Sequence, residues 1–124
     1  MILDAGALIA VTRGDRRTIA RLLAAHEEGD QLTCHPMVVA QVWRGSGGRQ
    51  ATLARFLRAV EIVTIDDELG RRSGELLGKA KTADPIDAAV VLIASEGEAI
   101  VTSDPDDLEH LARAARRQVI IVRC

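Results

Sequence analysis

The chain has 124 residues, enough for one domain (residues 1–124) whose core needs neither disulfides nor structural zinc. Apolar residues make up 48%, but Trp43 and Phe56 are the only aromatics, so we expect a core of Ala, Val, Leu and Ile. The net charge of −2 does not indicate a generally basic nucleic-acid binder. A local basic face stays open, because only Lys79 and Lys81 among the 16 basic residues are not Arg, and Arg makes bidentate phosphate contacts.

The sequence shows no sign of an oxidising or membrane environment. Cys34 and Cys124 lack the spacing of a disulfide framework or a zinc site, and two free thiols are typical of cytosolic proteins. No segment has the apolar length of a membrane span, and the N-terminus lacks the basic and apolar segments of a secretory signal. We therefore expect a cytoplasmic protein without membrane contact.

Short apolar segments alternate with helical patterns along the chain. Residues 1–3 predict a first buried strand, and a stretch of small apolar residues continues to Val11. Helices are predicted at residues 15–28, 36–44, 49–59, 66–81, 84–97 and 104–117, and further strands at 31–34, 61–65, 99–102 and 118–122. Apolar strands separated by helices indicate an α/β protein: a three-layer α/β/α sandwich with a mostly parallel central sheet, covered on both faces.

Two predicted helices begin with the same pattern, Asp84-Pro85-Ile86-Asp87 and Asp104-Pro105-Asp106-Asp107. This pattern has a purely structural explanation, since Asp caps a helix, Pro fits its first position and a further acid complements the helix dipole. For Asp84 and Asp107, capping and ligand binding both stay open. Simple caps or surface positions are predicted for Asp15, Asp66 and Asp106.

Three acids are harder to explain by local structure. Asp4 follows a buried strand and precedes Ala5-Gly6, where small residues permit close approach of a backbone or a ligand. Asp104 also follows a strand, and Asp87 lies one turn into its helix. Parallel strands present their carboxyl ends at one edge, and gathered carboxylates require a hard divalent cation to offset their repulsion. The three acids predict a Mg²⁺ or Mn²⁺ site.

Four segments, in this order, resemble the motifs of the PIN-domain family. They are Ile2-Leu3-Asp4-Ala5, the helix from Val38 to Gly45, Asp87-Ala88-Ala89, and Val101-Thr102-Ser103-Asp104. The resemblance extends over nearly the whole chain, and the length is similar to that of VapC-type toxins of VapBC toxin–antitoxin pairs. It implies an α/β/α sandwich and a metal-dependent endoribonuclease, with Asp4, Asp87 and Asp104 as the metal-binding acids.

One position departs from the family pattern. The second acid of the family would fall on Gln41, whose amide can hydrogen-bond water but carries no charge and cannot act as a base. Asp84 or Asp107 is available to replace it. The alternatives are an active nuclease or a non-catalytic PIN-like module that binds RNA or an antitoxin through a weakened metal site.

The resemblance also implies roles and partners. Thr102 is a candidate to orient Asp104 or a metal-bound water, although a plain strand-end hydroxyl is the simpler explanation. Arg44 and Arg13 are candidate contacts for RNA phosphate. A homodimer and a cognate VapB-type antitoxin are expected.

A phosphoryl-transfer protein of the receiver or haloacid-dehalogenase type is disfavoured, because Gly6 stands where the latter needs a second acid and no Lys follows a late strand.

Overall fold

A computed structural model describes residues 1–124 and contains five strands and seven helices. The strands are β1 (Ile2–Leu3), β2 (Leu32–Cys34), β3 (Val60–Ile62), β4 (Ala99–Thr102) and β5 (Ile120–Arg123). The helices are α1 (Ala5–Arg13), α2 (Arg16–Glu27), α3 (Pro36–Val42), α4 (Gly48–Leu57), α5 (Asp67–Ala80), α6 (Pro85–Ile93) and α7 (Pro105–Ala114).

The five strands form one sheet in the order β3-β2-β1-β4-β5, and every pair is parallel. From the central strand β1, the chain first builds outward through β2 to β3, then returns to the other side for β4 and β5. Right-handed crossovers place α1–α4 on one face and α5–α7 on the other, and helices of each group contact one another. The predicted α/β/α sandwich is therefore confirmed, with a fully parallel sheet.

Local differences from the prediction concern element ends and the sheet edges. The apolar stretch after Asp4 is helix α1, the third strand ends at Ile62, and α6 ends at Ile93. The helices cover the edge strands less completely than the central ones, since Ile62 and Ile120 are 43% and 58% exposed. Edge strands have a neighbour on one side only, so the helices above and below protect them less.

The core is aliphatic, as the composition predicts. Its largest fully buried side chains include Leu3, Leu8, Ile100 and Leu108, whereas Trp43 is exposed. The predicted caps are also present, since Asp15 accepts a hydrogen bond from Thr18 N at 2.7 Å and Asp66 accepts one from Leu69 N at 2.8 Å. Both cysteines are free, and no helix has the length and apolarity of a membrane crossing.

Candidate functional site at the carboxyl edge of the sheet

Polar side chains follow three adjacent strands at the same edge of the sheet. Asp4 comes directly after β1, His35 directly after β2, and Asp104 two residues after β4. The chain leaves β1 and β4 in opposite directions, so their carboxyl ends flank the point where the strand order reverses. Ligands of open α/β sheets bind at this point, and the topology therefore marks the surroundings of Asp4 and Asp104 as the candidate site.

Asp4 is held in place by β4. Its backbone N–H donates to Val101 O at 3.0 Å, and its Oδ2 accepts a hydrogen bond from Thr102 Oγ1 at 2.7 Å. The residue is only 8% exposed and, although it precedes α1, its side chain does not cap that helix. A buried carboxylate not used for capping has one oxygen fixed by Thr102 and Oδ1 left available to a ligand.

Thr102 connects the two strand-end acids. Its side chain is fully buried, and the same hydroxyl that donates to Asp4 accepts a hydrogen bond from Asp104 N at 3.0 Å. The hydroxyl therefore fixes one acid through its side chain and the other through its backbone. A plain strand-end hydroxyl does not describe this residue, and its contact with Asp104 is to the backbone and not to the carboxylate.

The loop that carries Asp104 lies directly against the first turn of α1. A Cβ atom added to Gly6 would stand 2.4 Å from Ser103 Oγ and 2.5 Å from Ser103 N. No side chain fits at that spacing, so glycine is required for the close approach expected from Ala5-Gly6. Asp104 itself is exposed and, although it precedes α7, makes no capping hydrogen bond. Its carboxylate is left free.

The pKa of Asp87 indicates that several acids lie near one another. Burial, followed by the negative charges of Asp84, Asp4, Asp107 and Asp104 in decreasing order, raises the pKa of Asp87 from 3.8 to about 7. Five carboxylates from the ends of β1 and β4 and the starts of α6 and α7 thus share one electrostatic environment. The structure brings together all five acids for which a ligand role is open.

Asp84 differs from the others because its carboxylate is partly engaged. Its Oδ1 accepts hydrogen bonds from Ile86 N at 2.8 Å and Asp87 N at 3.3 Å. The capping explanation of Asp84 therefore holds in the structure. Its charge still adds to the cluster, as the raised pKa of Asp87 records.

His35 was not recognised from the sequence as part of this site. It is fully buried, and its Nε2 lies 3.1 Å from Ile86 O in the first turn of α6. Since a carbonyl only accepts, Nε2 must carry the proton, and the buried Nδ1 then has no partner. Burial lowers the pKa of His35, against the opposing effects of Ile86 and Asp4. Its place directly after β2 was the available signal, equivalent to that of Asp4 after β1.

The three remaining candidate residues differ from one another in their surroundings. The Gln41 side chain is exposed on α3 and makes no hydrogen bond within the chain. The Arg44 guanidinium donates to Ala40 O, Gln41 O and Trp43 O, the last at 2.8 Å, and so binds the C-terminal end of its own helix. Arg13, in contrast, lines a cavity of about 410 Å³ that also contacts Gly6 and Ser103.

The donor chemistry fits Mg²⁺ or Mn²⁺, but the ligand shell is not preassembled. All candidate donors are oxygens. Burial and, after it, repulsion by the other acids raise the pKa of Asp87, and a cation would relieve that repulsion. No three acidic, His or Cys side chains are arranged to enclose a metal ion by themselves. Mg²⁺ commonly binds one or two carboxylates together with waters and substrate phosphate. The oxygen donors therefore suit Mg²⁺ even though no three side chains enclose an ion.

The fold and this edge define a parallel α/β protein with carboxylates gathered at the point where the strand order reverses. The model of the PIN domain matches residues 1–115, and the chain therefore belongs to the PIN-domain family. No curated protein sequence matches the chain.

Among solved structures, the chain is similar to one in the crystal structure of VapBC2 from Rickettsia felis bound to a DNA fragment from their promoter. The two share 14% sequence identity with a TM-score of 0.72, over 99% of this chain and 97% of the other. This similarity extends the shared fold over the full length of both chains.

Proposed function

We propose that the protein is a metal-dependent endoribonuclease of the VapC toxin type, with Asp4, Asp87 and Asp104 as the metal-binding acids. The observation that carries the proposal is geometric: the buried Asp4 and the backbone of Asp104 are held together by the Thr102 hydroxyl at the point where the strand order reverses. The raised pKa of Asp87 agrees with further acids nearby. Repelling carboxylates are costly to gather unless a ligand of opposite charge uses them. Membership in the PIN-domain family supports a nuclease.

The contacts of each residue indicate its role in the proposed reaction. Thr102 holds Asp4 and the Asp104 backbone in register, and the free carboxylate of Asp104 faces incoming ligand. Bound Mg²⁺ or Mn²⁺ would activate a water and neutralise charge on the phosphodiester. Asp84 supplies additional negative charge from its capping position. Arg13 binds substrate phosphate beside Ser103, whereas the engaged guanidinium of Arg44 argues against that role for Arg44.

The test is cleavage of a structured RNA by the purified chain. We expect cleavage with Mn²⁺ or Mg²⁺, none with EDTA, and none from the Asp4→Asn variant, which retains an acceptor for Thr102 but lacks the charge. Cleavage that survives both EDTA and Asp4→Asn would exclude the metal mechanism.

A second candidate is a non-catalytic PIN-like module, favoured by the uncharged and exposed Gln41. It predicts RNA binding without cleavage at saturating Mn²⁺. Gln41→Glu separates the candidates, because a charge that completes the metal site should raise Mn²⁺ affinity and cleavage together. An active wild type that Gln41→Glu leaves unchanged would place position 41 outside the metal site.

We also infer a homodimer and a VapB-type antitoxin as partners. The support for the antitoxin is the similarity to a chain of the VapBC2 structure. The homodimer rests on the resemblance to VapC-type toxins. A solution mass of about twice 13.3 kDa is expected for the isolated chain. A mass of 13.3 kDa at micromolar concentration would contradict the dimer.

A further inference from the structure

Beside the acids lies a second polar feature, formed where α1, α2 and β5 meet. One cavity of about 410 Å³ contacts Gly6, Arg13 and Ser103. A second, of about 400 Å³, contacts Arg17, Arg21 and Arg123. Both are lined by Asp15, Thr18 and Cys124, so they adjoin and form one depression, which we name the arginine trough.

The arginine trough begins at the acidic site. Ser103, at its near end, is the residue between Thr102 and Asp104, and Cys124 N at its floor donates to Thr102 O at 2.9 Å. The charges of both regions act on the Cys124 thiol, whose pKa is raised by burial and by Asp4 and opposed by Arg21. The trough therefore leads away from the carboxylates toward the open edge of the sheet at β5.

Most of the guanidinium groups of the arginine trough have no partner within the chain. The guanidinium groups of Arg13, Arg17 and Arg123 are exposed and make no ion pair or hydrogen bond within the chain. Arg21 donates to Arg123 O at 3.1 Å and so ties α2 to β5. The acid in the trough, Asp15, already accepts a hydrogen bond from Thr18 N. Four arginine side chains against one engaged acidic side chain suit an anionic ligand that extends over several charges.

The lining also indicates how that ligand is recognised. The two aromatic side chains, Trp43 and Phe56, lie outside the trough, so bases have no aromatic surface there on which to stack. Arginines without aromatic partners contact phosphates, which position a nucleic acid but carry no sequence information.

We infer that the arginine trough binds the sugar-phosphate backbone of single-stranded RNA adjacent to the cleaved bond, without reading its sequence. This inference rests on the proposed function and names where its substrate continues beyond the acids. Sequence preference, if the enzyme has one, is then set elsewhere.

The experiment measures binding of 5′-labelled 12-nucleotide oligo(U) and oligo(A) by fluorescence anisotropy in EDTA, at several salt concentrations. We expect Arg17→Ala/Arg123→Ala to raise the Kd for both RNAs roughly tenfold near 150 mM salt. The slope of log K against log salt should fall by about 1.4, since each lost phosphate contact on a single strand contributes about 0.7.

The control is Arg58→Ala/Arg72→Ala, which removes the same charge from two exposed arginines outside the trough and should leave the Kd within about twofold. Equal losses in both double variants, a loss confined to one RNA, or tighter binding of an oligoglutamate of equal charge would overturn the inference. Arg17→Glu serves as an independent second variant. RNA bound in this way but never cleaved with Mn²⁺ would instead refute the proposed nuclease and leave the trough intact.

Discussion

The starts of α6 and α7 have the same Asp-Pro-x-Asp sequence but use their first acid in opposite ways. At α6, Asp84 accepts hydrogen bonds from the backbone N–H groups of Ile86 and Asp87. At α7, Asp104 makes no such bond, and its own N–H is instead held by Thr102. The difference is that α7 follows a strand whose last hydroxyl fixes the loop, so capping by Asp104 is not needed and its carboxylate stays available.

The sharpest test of this difference replaces each first acid with Ala. We expect Asp104→Ala to reduce metal-dependent cleavage more than about 100-fold, since loss of even an outer-shell partner costs 10–100-fold, and to leave the free energy of unfolding almost unchanged. Asp84→Ala should instead lower that free energy by about 1 kcal/mol, as expected for a lost cap, with a smaller effect on cleavage. Chemical denaturation and initial cleavage rates check both variants. Equal destabilisation by the two changes would mean that both acids cap.

A second test breaks the support of the α7 start. Gly6→Ala forces a Cβ to within 2.5 Å of the Ser103 backbone, and we expect a loss of about 1–3 kcal/mol of stability together with displacement of Asp104. Gly74→Ala is the matched control, because this residue lies inside α5 with open space around it. That change should stabilise the protein by about 0.5–1 kcal/mol. Thermal unfolding of the metal-free variants distinguishes them, and a stable Gly6→Ala protein would contradict the close contact.

The repeated pattern also shows where sequence reasoning succeeds. Periodicity and capping residues were sufficient for the α/β/α fold and for the caps Asp15 and Asp66, because those features depend on nearby residues. The Asp104 N–H is held by the nearby Thr102, but Thr102 is itself fixed by Asp4, and Ser103 packs against Gly6. These last two contacts join segments about 100 residues apart. Such contacts have no local signature.

His35 illustrates the same limit and provides a third test, now at the α6 start. His35→Met removes the donor to Ile86 O, and we expect a cost of about 1 kcal/mol and a roughly tenfold loss of Mn²⁺ affinity as Asp87 is released. Gln places an N–H near the position of Nε2, so His35→Gln should recover most of the lost stability and most of the lost Mn²⁺ affinity. Denaturation and Mn²⁺ titration provide the measurements. Equal behaviour of the Met and Gln variants would show that the hydrogen bond has no role.

The last prediction concerns the pH dependence of stability in the metal-free protein. The pKa of Asp87 is about 7 in the folded state against an ordinary 3.8, so the folded state retains a proton that the unfolded state loses between these values. The contribution of Asp87 to stability is therefore complete below pH about 4 and is lost as the pH rises toward 7.

The melting temperature of the wild type, measured against that of Asp87→Asn across this range, should decline more steeply with pH in the wild type. Added Mg²⁺ should reduce it by stabilising the ionised form. A parallel pH profile for the two proteins would remove Asp87 as its source.

The Thr102 hydroxyl has a mechanical consequence for the whole site. Asp4 and the Asp104 backbone share that one buried group, and Gly6 packs directly against Ser103, so the two supporting segments are in close contact. Asp87 approaches from the opposite layer, secured by the cap of Asp84 and by His35. We therefore expect the β1 and β4 side of the site to be the more rigid one. Adjustment to the size of a bound cation should come from movement of α6.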